Sequence, residues 1–395
     1  MKVKSRIRFT LFALLFNLLV TPDFAHSASC TGATTSTDGN FTLVRFTAAQ
    51  SNCTWNVPAG VTSLGVLIVG GGGGAGFGSL GGGGGAGKVL TTIIPISVNS
   101  GDTITLTIGD GGLGGYNKLP STGGPWTFGN DGETTTLTVN GLTYNAIGGG
   151  GGGGSVRSTG ASGGSGGGGS TGSLGGSALT NNYSNFLSYG NSSTTHSGSG
   201  AGGGGAGGGN ANGAGGTGVT IYGLKVGGGG GGWPSAAGST EFGGGSAGGG
   251  TNASEGTGAS DHGTRGTTGT GGGGGGGEKG GSGTVVFRYL AATVSSFSLA
   301  GGVTTATYRS STTITAVVSI PSKVTFRAGN VIISGCKNKS ATGSGSTYTA
   351  SCTWKPSTRG KVAVSASFSA NESGASTPRT SPLNITVSNR SGNRA

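Results

Sequence analysis

Hydrophobic and polar residues alternate along several short stretches of this chain, and glycine fills much of the space between them. Period-two alternation bounded by turn residues marks half-buried strands. On that pattern strands are expected over 41–46, 64–69, 88–94, 103–108, 134–139, 142–147 and 284–289. Asn140-Gly141 lies between two of them and is the pair a tight hairpin prefers. After Leu290 glycine thins and alternation becomes regular. Strands are expected there over 304–308, 312–319, 323–327, 331–333, 348–354, 361–369 and 383–387. Seven short strands at roughly 8–12-residue spacing predict an immunoglobulin-like sandwich. The mature chain shows no amphipathic helical period, so the expected fold class is all-β.

Between Gly70 and Gly283 the chain carries 84 of its 97 glycines within 214 residues. Glycine- and serine-rich sequence is by default a flexible linker. Collagen is excluded, because there is no strict triplet period. The distribution argues against a linker too, since the glycines come in runs at 70–74, 81–85, 148–154, 227–232 and 271–277, with strand-like segments around them. The runs are expected to form extended helices of three residues per turn, geometrically like polyproline II. Without side chains such helices pack backbone to backbone. A bundle held by a β-sandwich offsets the high ordering cost of glycine, whereas a lone run does not.

The N-terminus sets an expected compartment. Lys2, Lys4, Arg6 and Arg8 precede an apolar run over 9–20 and small residues at Ala25, Ser27, Ala28 and Ser29, the layout of a secretory signal peptide. The run is too short to span a bilayer, which takes about 20 residues. Cleavage is expected between Ala25 and Ser29. Lipoprotein processing at Cys30 is the alternative, disfavoured because Ser27 stands where an aliphatic residue is wanted. The C-terminal segment carries neither a hydrophobic tail nor a sortase-type signal, so the mature protein is expected to be soluble or held at a surface without a covalent anchor. Four cysteines allow three pairings, and their grouping favours one bridge per domain, Cys30 with Cys53 and Cys336 with Cys352. With Cys336 and Cys352 only 16 residues apart, that bridge is expected to tie neighbouring strands without crossing the core.

Charge divides the chain unevenly. Residues 29–290 hold eight Lys and Arg against nine Asp and Glu, a net of −1, while residues 291–395 hold eleven against the single Glu372, a net of +10. The expected organisation is a signal peptide over 1–29, a glycine-rich β domain over 30–290, a basic immunoglobulin-like domain over 291–390 and a tail over 391–395. Lys323, Arg327, Lys337, Lys339, Lys355, Arg359 and Lys361 are the expected basic surface. An exported domain of this charge attracts anionic polymers by steering and counterion release. For it, envelope polyanions or acidic polysaccharide are the expected partner sooner than nucleic acid.

Two stretches carry family resemblances. The segment from Cys53 through Trp55, Val57 and Val66-Leu67-Ile68-Val69 into Gly70 resembles the opening of the glycine-rich domain of many exported bacterial proteins, and Gly281-Ser-Gly-Thr-Val-Val-Phe-Arg-Tyr289 resembles its closing strand. That domain is similar in plan to the glycine-rich domains of the anaplastic lymphoma kinase ectodomain and of phage tail-tip adhesins. The resemblance implies glycine helices projecting from a β-sandwich, in binding or architectural service. The stretches 323–336 and 350–360 resemble the bacterial immunoglobulin-like repeat of exported actinobacterial proteins.

Catalytic chemistry is hard to find. Patterns of the GxGxxG type arise by chance in such a chain and open no helix of a βαβ unit. Asp261-His262 stands beside many serines, but no GxSxG elbow is present. His196 sits in a polar glycine-rich loop. Asp102, Asp110, Asp131 and Glu133 lie at turns beside glycine, where turn formation is their expected role rather than paired acid–base catalysis or calcium binding. No cofactor or metal is expected. Trp55 and Trp354 are expected to pack on the disulfides. Trp126 and Trp233, in loops between glycine runs, are expected to cap the helix bundle or, alternatively, to contact a ligand. The expected function is therefore a non-catalytic exported surface protein for structure or adhesion. The alternatives are a carbohydrate-binding module or adhesin using the loop tryptophans and, third, an ice-binding protein.

Overall fold

A computed structural model describes residues 28–39, 41–58, 61–78, 80–115, 128–154, 157–210, 213–233, 247–250, 263–290, 294–318, 322–344, 347–370, 380 and 382–389. The fold is all-β. In the N-terminal unit one sheet runs in the order β1 (Thr34–Asp38), β2 (Phe41–Phe46), β13 (Thr284–Tyr289), β4 (Ser63–Val69), β5 (Val89–Thr92) and β10 (Phe186–Tyr189), with β6 (Ile96–Ser97) also pairing β4. A second sheet runs β3 (Gln50–Asn56), β7 (Thr103–Ile108), β8 (Thr135–Val139) and β9 (Leu142–Ala146). Alternation sends Val44, Phe46, Leu64, Val66, Ile68, Val285 and Phe287 inwards from the first sheet. They meet Ile104, Leu106, Ile108, Leu137 and Val139 from the second. The outer face of the first sheet is covered by the hairpin β11 (Val219–Ile221) and β12 (Leu224–Val226), which shelters Leu43, Leu67, Val69, Val89 and Val286.

The Asn140-Gly141 hairpin forms as expected. Both residues have positive φ, 52° and 74°, and Val139 pairs Leu142, the two-residue turn whose twist matches the strands. Trp55 lies within β3 and stacks on Phe287, ring centroids 4.4 Å apart and 20° between planes. Trp55 thus packs against the same core cluster that holds Cys53 and Cys30. Cys30 and Cys53 are bonded as expected.

Strands β4, β7 and β9 run out into glycine at the same end of the sandwich from which β5, β8 and β13 return. There the glycine runs form a lattice. The run 81–88 lies at its centre. Gly82 and Gly85 donate their N–H groups to Gly153 and Gly150, Gly83 and Ala86 donate to Ala201 and Gly204, and Gly84 and Gly87 donate to Gly274 and Gly271. Its carbonyls accept in the same rhythm: Gly82 and Gly85 from Gly76 and Gly73, Gly83 and Ala86 from Gly168 and Ser165, and Gly81 and Gly84 from Trp233 and Gly230. Every third residue thus addresses the same neighbour, which is the three-per-turn helix read out in hydrogen bonds. Six rods surround this one, and a Cβ at Gly84 would stand 2.0 Å from the Gly73 carbonyl oxygen.

The C-terminal unit is a second two-sheet sandwich. One sheet runs β14 (Val294–Leu299), β16 (Thr312–Val318), β21 (Thr347–Trp354) and β20 (Thr342–Ser344). The other runs β15 (Thr305–Thr307), β23 (Leu383–Ser388), β22 (Gly360–Ala370), β17 (Ser322–Ala328) and β18 (Val331–Ile332), with β19 (Lys339–Ser340) also on β17. Strand β15 is parallel to β23, and the other pairs are antiparallel. Ile314, Ala316, Ala350 and Trp354 of the first sheet pack on Val324, Phe326, Val364, Ala366 and Ile385 of the second.

Cys336 and Cys352 are bonded, but the bridge does not tie neighbours in one sheet. Cys352 is on β21, while the Cys336 carbonyl accepts the Phe326 N–H of β17, and both cysteines belong to the core. The bridge joins the two sheets. The short sequence separation misled because β19 and β20 cross from one sheet to the other between the cysteines. Among the described residues no strand of either unit pairs with a strand of the other, and no helix is long and apolar enough to cross a membrane.

Candidate functional site

Several acids of the glycine-rich unit hold backbone and cationic groups of its lattice. Asp110 Oδ1 accepts the Gly111 N–H at 2.8 Å and its Oδ2 pairs with Lys279 Nζ at 2.5 Å. Glu133 Oε2 accepts the Asp110 N–H at 3.0 Å, and Asp131 Oδ1 accepts the Gly151 N–H at 2.8 Å. Buried Glu278 pairs with Arg265 at 3.0 Å. Asp102 caps a turn by accepting the Asn99 N–H at 2.7 Å. Asp110, Asp131 and Glu133 thus satisfy backbone N–H groups in and beside the glycine rods. Among the described residues no three His, Cys, Asp or Glu side chains gather as a metal site.

His196 Nδ1 accepts the Ser199 backbone N–H at 3.1 Å and lies 2.8 Å from Ser199 Oγ, a local turn whose serine is buried. Lys88 is buried at the base of the lattice, where its Nζ donates to the Leu179 carbonyl at 2.9 Å. Burial holds its pKa below the usual lysine value.

Trp233 is buried, with its ring edge-on to Phe77 at 5.7 Å between centroids. Its N–H closes a rod end on the Gly81 carbonyl. A sugar platform needs an open aromatic face, and this ring is only 6% exposed. Trp126, Asp261 and His262 lie outside the described residues.

The expected basic surface separates into two ends of the second sandwich. Lys323 pairs in register with Ser369 of β22, eight residues from Lys361, which places the two lysines roughly 26 Å apart along the sheet. Lys323 and Lys339 occupy neighbouring register positions of β17 and β19 at the far end. Lys337 follows Cys336 between the ends. Arg327 lies on β17, nearer Lys361, and its Nη1 donates to the Asn330 carbonyl at 3.4 Å. The near end holds Lys355, Arg359 and Lys361 together with Arg309, which the sequence reading did not single out. The guanidinium groups of Arg359 and Arg309 lie 4.4 and 5.2 Å from the centroid of the Tyr308 ring, and the Arg309 N–H donates to the Pro356 carbonyl at 3.0 Å. An aromatic residue beside a basic one at a strand end was the available signal, and Tyr308-Arg309 carries it.

Between the β17–β18 turn and the β21–β22 connection at this near end lies an open groove of about 680 Å³. Val331, Ile333, Trp354 and Val362 contribute apolar lining, and Lys355 and Lys361 line it as well. Gly329, at φ +60°, begins the two-residue turn, and its N–H donates to the Ala363 carbonyl at 2.7 Å, which fixes one wall against β22. Glu372 is the only acid of residues 291–395 and lies outside the described residues. The described part of this sandwich therefore offers its cations no carboxylate.

Comparison with curated proteins gives no match. A family model described as a glycine-rich domain matches residues 47–290, from just before β3 to just beyond β13. The match takes in the whole second sheet, the first sheet apart from β1 and β2, and the glycine rods, more than half of the chain, and the protein therefore belongs to the glycine-rich domain family.

Proposed function

We propose that this is an exported, non-catalytic surface protein. In this reading the glycine lattice serves as a rigid spacer or platform, and the basic C-terminal sandwich associates with anionic polymers of the cell envelope. The observation that carries it is the division of charge: +10 over residues 291–395 and −1 over residues 29–290. Export is supported by the N-terminal pattern and by two disulfides, which persist in oxidising compartments. The Cys30 sulfur is bonded to that of Cys53, which favours signal-peptide cleavage over a lipid thioether at that position. The C-terminal strand order supports an immunoglobulin-like reading. First, second, fifth and fourth main strands lie in one sheet, and third, sixth and seventh in the other, as in that fold. Surface adhesion follows the same resemblance to exported glycine-rich proteins. Glycan binding through loop tryptophans gains no support from Trp233, whose ring is enclosed.

The test is retention of the full mature chain on purified bacterial cell wall across a salt series. Retention at low salt that falls linearly on a log–log plot as salt rises is the expected result. Failure to bind at low salt, or binding indifferent to salt, would overturn the reading.

A further inference from the structure

The groove at the near end of the C-terminal sandwich combines features that a diffuse basic surface lacks. It is concave and holds about 680 Å³, in the range of ligand clefts. Its lining combines one exposed apolar side chain with buried ones behind it. Val331 is 73% exposed at the turn that forms one wall, while Trp354, 4% exposed, backs the other. Lys355 and Lys361 are exposed on its lining, and no described carboxylate of this sandwich competes for them. Arg309 and Arg359 flank Tyr308 alongside, adding positive field at the same end.

We propose that this groove is a binding site for an acidic polysaccharide built of uronic-acid units. The proposal rests on the polyanion reading above and gives it a location and a substrate class. A pyranose ring presents C–H faces that pack on exposed Val331 and half-buried Val362, while its carboxylate pairs with the ammonium groups of Lys355 and Lys361. A glycerol-phosphate polymer satisfies the lysines but has no apolar face to use the floor. An acidic peptide adding to a sheet edge needs a strand long enough to template it, and β18 is two residues long.

The experiment measures binding of the full mature chain to polygalacturonate, with a glycerol-phosphate polymer, polyglutamate and neutral dextran as comparison probes. Three variants are tested: Lys355→Gln with Lys361→Gln at the groove, Lys323→Gln with Lys339→Gln at the far end, and Val331→Ser. The lysine pairs carry the same charge change, so bulk electrostatics predicts the same loss for both. A groove site predicts a loss of about tenfold or more for the near pair and about twofold or less for the far pair. Val331→Ser should weaken polygalacturonate binding about threefold without altering its salt slope, because it removes apolar contact and no charge. Unchanged unfolding midpoints in the variants establish that the sandwich is intact.

Equal losses for the two pairs, with Val331→Ser silent, would overturn the groove while leaving the polyanion reading in place. Polyglutamate or the glycerol-phosphate polymer binding as tightly as polygalacturonate would overturn the uronic-acid assignment. Absence of binding to every anionic probe at low salt would overturn the polyanion reading and the groove with it.

Discussion

Gly84 and Gly198 look alike in the sequence, each within a run of small residues, yet they sit in opposite surroundings. A methyl group on Gly84 would lie 2.0 Å from the Gly73 oxygen, whereas one on Gly198 would meet nothing nearer than His196 Cε1 at 3.7 Å. Neither has the positive φ that would strain an alanine by itself. Gly84→Ala is therefore expected to lower stability by about 3 kcal/mol, as overpacking in a close-packed interior does. Gly198→Ala should be neutral or stabilising by about 0.4–1 kcal/mol, through a less flexible unfolded chain. Denaturant unfolding of the two variants beside the parent checks this, and equal effects would contradict the lattice. The distinction was illegible in the sequence, because what crowds Gly84 is backbone brought to it by the fold. Trp233 shows the same limit. Its loop suggested exposure or capping, and only the fold brings Phe77 against it.

At the scale of elements, the readable strands were those with clean apolar alternation, such as β2, β7 and β13, whose limits match the expected spans. Thr-Thr-Ser-Thr-Asp of β1 and Gln-Ser-Asn-Cys-Thr-Trp-Asn of β3 escaped because they are polar, and β10, β11 and β12 because they are short. Hydrogen bonding to a neighbour, not a hydrophobic face, defines such strands. Tyr222-Gly223 repeats the turn of Asn140-Gly141, with φ 52° and 74°, but without the asparagine that announces it. The Cys336–Cys352 bridge was legible as a pair and misread as an element contact. Because it joins β21 to the sheet of β17, its removal should loosen one sheet against the other. Cys336→Ser with Cys352→Ser is expected to reduce hydrogen-exchange protection of the β16–β21 ladder by about 3 kcal/mol, the entropic worth of a loop near this size. Protection within about 0.5 kcal/mol of the parent would show that the sheets hold each other without it.

For the whole molecule the question is why so much glycine stays ordered. Fixing a residue costs about 1–2 kcal/mol, and a backbone hydrogen bond returns about 0.5–1.5 kcal/mol net. A glycine rod by itself therefore stands near or below balance, and side-chain burial, the usual surplus, is missing from it. The surplus must come from the sandwich, into which the rods are continuous: run 81–88 leads directly to β5, and run 70–78 leaves β4. Lattice and sandwich are then one cooperative unit. The amides of Gly82 to Gly87, each donating to another rod, should exchange as slowly as those of β4 and β5. A cavity made inside the sandwich should reach them as well. Val66→Ala, at a fully buried position of the sandwich core, is expected to cost about 2 kcal/mol and to lower protection of the rod and of the strands equally. If the rod amides keep their protection while the strands lose theirs, the lattice is stable by itself. If they exchange rapidly in the parent chain, the glycine runs are linkers.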